Sequence, residues 1–376
     1  MRIALVAETF LPKVDGIVNT LCQLLEHLDR HGHEALVLAP SGAPVRYAGH
    51  RVLGLPSLPM PFYPELRVAL PTPSAMRALE AYAPDLVQVA NPLILGVSVK
   101  RWALARGIPV AASYHTDVPG FTARWGLRPL VPLAWAGMRA AHRGAALNLC
   151  PSRATAEELA RQGFENLAVW GRGVDTERFH PCKRSPMWRA RLSAGEPERP
   201  LLLYVGRLSP EKRVDWIADV LDALPEARLA VVGDGPARGS LEARFAGRPV
   251  VFTGYLRGED LAAAYASADH FVFVGANETL GNVVLEAMAS GLPVVAPASG
   301  GVLEHLRHEQ TGLLFEPDRR ESLIAATARL LADPALAARL AQGARAEAEA
   351  SPWEGVLTEL VARQRGLIAA SRPQAP

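Results

Sequence analysis

Short, near-continuous apolar runs alternate with helix-length segments along this chain, and they do so in two blocks. The first block carries them at Ile3–Ala7, Glu34–Leu38, Leu86–Val89, Val110–Tyr114, Leu147–Cys150 and Leu167–Trp170. The second carries them at Leu201–Val205, Arg228–Val232, Val250–Thr253, His270–Val274, Val294–Ala296 and Leu313–Phe315. A strand that is apolar throughout must be covered on both faces, and helices between successive strands provide that cover. The pattern therefore predicts an α/β chain with two parallel sheets. Its 376 residues, 49% of them hydrophobic, are enough to bury two cores. Phe179–Pro200, rich in Pro, Arg and Ser, reads as the link between blocks plus an edge of the second domain. Two Rossmann-like domains facing each other would hold a ligand in a cleft at the C-terminal ends of both sheets.

Composition excludes several classes. A formal charge of +2 without a polybasic run argues against a nucleic-acid binder driven by bulk charge. Cys22, Cys150 and Cys182 are few and unclustered, which suits a reducing cytoplasm and argues against a zinc site built on thiolates. The apolar start Met1–Ala7 meets Glu8 too soon for a signal peptide, and no run of 18 apolar residues spans a membrane. A dinucleotide enzyme is disfavoured because Gly233-Asp234-Gly235-Pro236-Ala237-Arg238-Gly239 has the wrong spacing for G-x-G-x-x-G and a Pro in its turn.

Two motifs carry chemistry. In Ala276–Met288, Glu278 falls in a strand-to-helix loop and Glu286 about two turns into the following helix. The amides of Leu280, Gly281 and Asn282 then stand at a helix N-terminus, where free N–H donors and the dipole favour an anion such as diphosphate. About seventy residues earlier, a second strand runs into Gly206-Arg207-Leu208-Ser209-Pro210-Glu211-Lys212. There Arg207 and Lys212 converge across a turn, one as a fork for phosphate oxygens and the other as a point charge. Either motif alone also fits an ordinary surface βα unit; together they point to a bound diphosphate.

On these residues the chain resembles glycosyltransferase family four, the retaining, nucleotide-sugar-dependent enzymes of GT-B architecture. The resemblance extends to Met1–Gly16, Ser113-Tyr114-His115-Thr116-Asp117, Gly171-Arg172-Gly173-Val174-Asp175 and Gly233–Pro236. Within the family it is strongest to sulfoquinovosyl diacylglycerol synthases and bacterial GDP-mannose-dependent mannosyltransferases. It implies an acceptor-binding domain over 1–178, a donor-binding domain over 179–351, and a C-terminal helix, 352–376, crossing back onto the first. It also implies transfer of a hexosyl group from a UDP- or GDP-linked sugar to a hydroxyl, giving an α-glycoside by same-face substitution. Arg207, Lys212 and the amides around Leu280 and Gly281 would stabilise the leaving diphosphate, and Gly16 would admit it closely from the first domain. Glu286 would take the ribose hydroxyls, Glu278 with Thr279 the transferred sugar, and the segment around Tyr255 the base. His115 would contact the sugar or acceptor and Asp117 would orient the acceptor, whereas His142 reads as a structural histidine inside a helix. No Asp-x-Asp occurs, so no metal or other cofactor is expected at the leaving group.

The acceptor side is read from Lys100–Ala145, where seven basic residues stand against one acidic residue, Asp117. Trp125, Arg128 and Trp135 suggest a face for an anionic bilayer, hence a lipid or glycolipid acceptor and a peripheral place on the inner membrane surface. The same aromatics also fit the buried face of a packing helix. A transferase with a soluble acceptor and a sugar-nucleotide 2-epimerase are the competing readings.

Overall fold

The computed structural model describes residues 1–13, 15–60, 63–124, 126–275 and 281–371. The chain divides into two compact units, Met1–Gly171 with Glu354–Pro376, and Arg172–Trp353. The first unit runs β1 (Arg2–Ala7), α1 (Gly16–Arg30), β2 (Glu34–Pro40), β3 (Arg46–Tyr47), β4 (His50–Leu55), β5 (Ser57–Met60), β6 (Tyr63–Ala69), α2 (Pro73–Tyr82), β7 (Leu86–Ala90), α3 (Ile94–Leu104), β8 (Val110–Ser113), α4 (Val118–Arg124), α5 (Val131–His142), β9 (Leu147–Cys150), α6 (Arg153–Arg161) and β10 (Leu167–Val169). The second runs α7 (Pro186–Leu192), β11 (Leu201–Val205), α8 (Trp216–Ala223), β12 (Arg228–Val232), α9 (Arg238–Arg244), β13 (Val250–Gly254), α10 (Gly258–Ser267), β14 (His270–Val272), α11 (Asn282–Ala289), β15 (Val294–Pro297), β16 (Leu313–Phe315), α12 (Arg320–Ala332) and α13 (Pro334–Glu349). From Glu354 onward, α14 (Trp353–Ser371) belongs again to the first unit.

The first sheet has the order β10-β9-β8-β7-β1-β2-β4-β3, parallel except where β3 turns back on β4. The second, β13-β12-β11-β14-β15-β16, is parallel throughout. Their central strands β1, β7, β11 and β12 are buried almost completely, as their unbroken apolar runs require. All twelve of those runs contain a strand. The strands absent from the sequence reading lie at 46–69, where β4 alternates buried and exposed positions and so offers no continuous apolar run.

One boundary changes, and Phe179–Pro200 gains a helix within the second unit. Ser185 caps α7 and Pro186 opens it, while Trp188 and Leu192 are buried in the second core. Arg189 donates to the carbonyls of Pro197, Ser267 and Arg199 and pairs with Asp269 at 2.7 Å. The second unit also begins at Arg172 instead of 179. Val174 and Phe179 pack in its core, and the Val174 amide donates to Ser351 at 3.0 Å. Trp353 stays with that unit because it lies against Gly173, where a side chain would overlap it.

Candidate functional site

In the second sheet, β12 and β13 lie on one side of β11, and β14, β15 and β16 on the other. Winding reverses between β11 and β14, and sheets of this kind bind ligands outside the C-terminal ends of such a strand pair. Both motifs leave from that point. After β11, Gly206 leads into a 3-10 turn over Pro210–Lys212. The Lys212 stem runs along the loop after β14, with its Cδ 3.3 Å from where a Cβ on Gly275 would stand. Arg207 is half-buried, and its carbonyl accepts from Tyr204 Oη at 3.3 Å. The amides of Gly206 and Leu208 donate to Val232 and Asp234, each at 3.0 Å. Gly233, at φ 132°, packs so closely that a Cβ would overlap the Gly206 carbonyl. The glycine run that fails as a dinucleotide fingerprint is thus a brace for the Arg207 loop, a role the sequence reading missed. Tyr255 is exposed, and its hydroxyl donates to the Asp234 carbonyl at 3.1 Å.

Gly281 caps α11 in the left-handed conformation, φ 66°, and has no side chain with which to occupy the first-turn amides. Asn282 Oδ1 is buried and has no hydrogen-bond partner among the described residues. Glu278, Thr279 and Leu280 lie outside the described residues. Glu286 is half-buried, and Tyr265, on α10, donates to its Oε2 at 2.9 Å. Burial raises the Glu286 carboxyl to about 7, outweighing the Tyr265 hydrogen bond and the Arg178 charge that lower it. Tyr265 carries no sequence signature for this part. Only the packing of α10 beside α11, with its ring edge-on to Phe179 at 5.6 Å, brings it there. A fork, a lysine and a helix N-terminus above one pair of strand ends can hold a diphosphate. The Glu286 carboxylate, about one turn along α11 and not the two turns expected because the helix begins only at Asn282, can accept from hydroxyls.

In the first unit, winding reverses between β1 and β7. Gly16 opens α1, but Asp15 caps it: Oδ1 accepts from Ile17 and Val18 at 3.0 and 2.9 Å, and Oδ2 pairs with Lys13. Two amides of that helix start are therefore held by the chain's own carboxylate. His115 follows β8 and is buried, its amide donating to Asn91 Oδ1 at 3.3 Å and its ring centroid 5.8 Å from Trp170. Asp117 stands where it closes the start of α4, accepting from Gly120 at 2.9 Å and from Tyr114 Oη at 3.5 Å. His142 is buried against Asn148 at 2.8 Å, and burial pushes it down to about 4. Glu8 was not singled out from the sequence, yet it accepts from the amides of Ala69, Leu95 and Gly96 at 3.1–3.2 Å, and burial raises it to about 6. A carboxylate directly after a buried strand was the available signal.

The expected bilayer face is corrected in part. Trp125 lies outside the described residues. Trp135 is half-buried, edge-on to Phe164 at 6.3 Å beside Met138 and Tyr114, so it is packing. Lys100 is buried and donates to the carbonyls of Ala140, Ala141 and Arg143, ending α5. Arg128 is exposed, and around it stand Leu127, Leu130 and Leu133, 45%, 47% and 69% exposed. Among the described residues no helix is long and apolar enough to cross a membrane.

The family model described as Glycosyltransferase Family 4 matches residues 14–178, and that described as Glycosyl transferases group 1 matches residues 199–333. The chain is 43% identical over 321 residues to a GDP-mannose-dependent alpha-mannosyltransferase of Mycobacterium tuberculosis, covering 84% of each. It is 38% identical over 368 residues to the sulfoquinovosyl transferase SQD2 of Arabidopsis thaliana, covering 96% of this chain and 72% of that one. Its fold matches the sucrose-phosphate synthase of Thermosynechococcus elongatus with a TM-score of 0.80, at 24% identity, over 98% of this chain and 99% of that one.

Proposed function

This chain belongs to glycosyltransferase family 4, and from that premise we propose that it moves a hexosyl group from a UDP- or GDP-linked sugar to a lipid or glycolipid hydroxyl, with retention. What supports the donor half is that the loop bearing Arg207 and Lys212 follows β11 and that α11 follows the neighbouring β14, with the Lys212 stem beside Gly275. The leaving diphosphate gathers negative charge as the sugar–oxygen bond lengthens. Cations and amides already fixed there stabilise that charge with no reorganisation, so no metal is assigned to the step. Glu286 accepts from the ribose hydroxyls, held in place by Tyr265. In the first unit, His115 contacts the sugar or acceptor, with Asn91 and Trp170 fixing its segment. The sugar then passes through an oxocarbenium-like state in which the departing phosphate takes the acceptor proton. The names of the two relatives, one using GDP-mannose and one transferring sulfoquinovose, favour a hexosyl donor. Incubation with a panel of UDP- and GDP-sugars and diacylglycerol or phosphatidylinositol vesicles should give a lipid-linked product whose anomeric coupling by NMR is α. A β-linked product would remove the retaining mechanism.

The acceptor half rests on the exposed leucines. Leu127, Leu130 and Leu133 project from a turn and helix that also present Arg128, a combination suited to an anionic bilayer. In flotation with phosphatidylglycerol vesicles at low salt, the parent should rise with the lipid. A Leu130→Asp/Leu133→Asp variant should stay in the soluble fraction, with donor binding unchanged. A parent that stays soluble, and glycosylates a small alcohol efficiently, would put the soluble-acceptor reading in its place.

A further inference from the structure

Among the described residues, one trio of metal-ligand side chains converges away from the loops described above: His27, His31 and Glu354. The two histidines stand four residues apart near the end of α1, hence on one face, with ring centroids 4.2 Å apart. Glu354, in the first turn of α14, aims its carboxylate between them. His27 Nδ1 lies 3.2 Å from Oε2 and His31 Nε2 lies 2.7 Å from Oε1. The three ligand atoms all fall within 4.8 Å of one another. Ligands at about 2.0–2.2 Å around a tetrahedral ion are separated by roughly 3.3 Å, so the cluster needs only small side-chain rotations to close on one.

We propose that His27, His31 and Glu354 form a structural site for a zinc-class divalent ion that ties α14 to α1. Two imidazole nitrogens and one carboxylate are a donor set suited to Zn²⁺, Co²⁺ or Ni²⁺. His31 and Glu354 are about half exposed, which leaves a path for the ion and for a water as fourth ligand. The C-terminal end of a helix favours a cation. The competitor is Arg30, whose guanidinium stands 3.3 Å from the same carboxylate on a largely exposed side chain that is free to turn outward. Gly16 lies at the other end of α1, about 16 Å away along the axis. The ion therefore fixes the returning helix and takes no part in transfer. This goes beyond the proposed function and does not depend on it.

The test uses the metal-free full chain, titrated with Zn²⁺ against a fluorescent chelator and with Co²⁺ by visible absorption. We expect one equivalent bound with micromolar affinity and Co²⁺ bands of tetrahedral intensity. His31→Ala and Glu354→Gln should each weaken binding about tenfold or more, while His308→Ala leaves it unchanged. His31 is exposed enough that its variant should keep the parent's circular dichroism. Zn²⁺ should also raise the thermal midpoint of the parent and not of His31→Ala. Absence of stoichiometric binding in the micromolar range, or binding that survives both ligand substitutions, overturns the site. Binding without any shift in the midpoint overturns the tie between the helices.

Discussion

Lys212→Ala is expected to lower turnover by about 10²–10³, the usual loss when one preorganised charge-stabilising group is removed from a developing anion. Lys212 ends a 3-10 turn, and its stem lies on the backbone of Gly275, so the ammonium is carried on a fixed support at the β11/β14 switch point. That placement matters more to the transition state than to the bound donor, because charge accumulates on the diphosphate only as it leaves. The fall should therefore appear mainly in kcat, with a smaller change in KM, and in buffer containing EDTA, where the parent stays active. Lys183→Ala, at an exposed pair with Glu259, is the matched control for losing a lysine and should leave kcat unchanged. Lys212→Ala turnover within about threefold of the parent would remove Lys212 from the leaving-group site.

Glu286→Gln is expected to make the protein more stable and a poorer binder of its donor. The folded-state pKa of Glu286 is raised from 4.5 to about 7, first by burial. The protonated carboxyl favours the folded state fully below pH 4.5; that contribution is lost as pH rises through 7, and above it the buried charge is a standing cost. With the group partly open to solvent, that cost is on the order of 2 kcal/mol. Gln cannot ionise and can still accept from Tyr265. Parent and variant should melt together near pH 4.5, diverge up to pH 7, and stay apart above it by about 5 °C. Against this, a hydrogen bond to a charged acceptor contributes about 1.5–3 kcal/mol, so nucleotide affinity should fall by about tenfold to a hundredfold. Parent affinity itself should decline as pH drops below 7. Calorimetry with UDP and GDP at pH 8, beside a melting series in pH, reads both effects. A variant that binds as the parent does would take the ribose role from Glu286. One that is less stable at pH 8 would show that the carboxylate is not strained there.

Two parallel sheets are legible in the amino-acid pattern alone, because an unbroken apolar run must be covered on both faces, and every such run holds a strand. The sequence also places Arg207 and Lys212 just after a strand end and Glu286 on the helix that follows, since those relations are local, but it sets Glu286 two turns in where α11, beginning at Asn282, leaves it about one. It did not reveal β4, whose alternation marks a half-buried strand, nor the helix within Phe179–Pro200. Which elements meet is set by the packing of each folded unit. Packing makes β11 and β14 neighbours, so that the loops after them leave from adjacent strand ends, and it sets Tyr265 on Glu286 and Gly233 against Gly206. It packs Trp135 against Phe164 while Leu133, on the same helix, and Leu130, just before it, stay exposed, and it brings Glu354 to His27 across 327 residues. The physical reason is the same in each case. Periodicity reports which face of an element must be buried, but the partner that buries it is chosen by the packing of the whole unit.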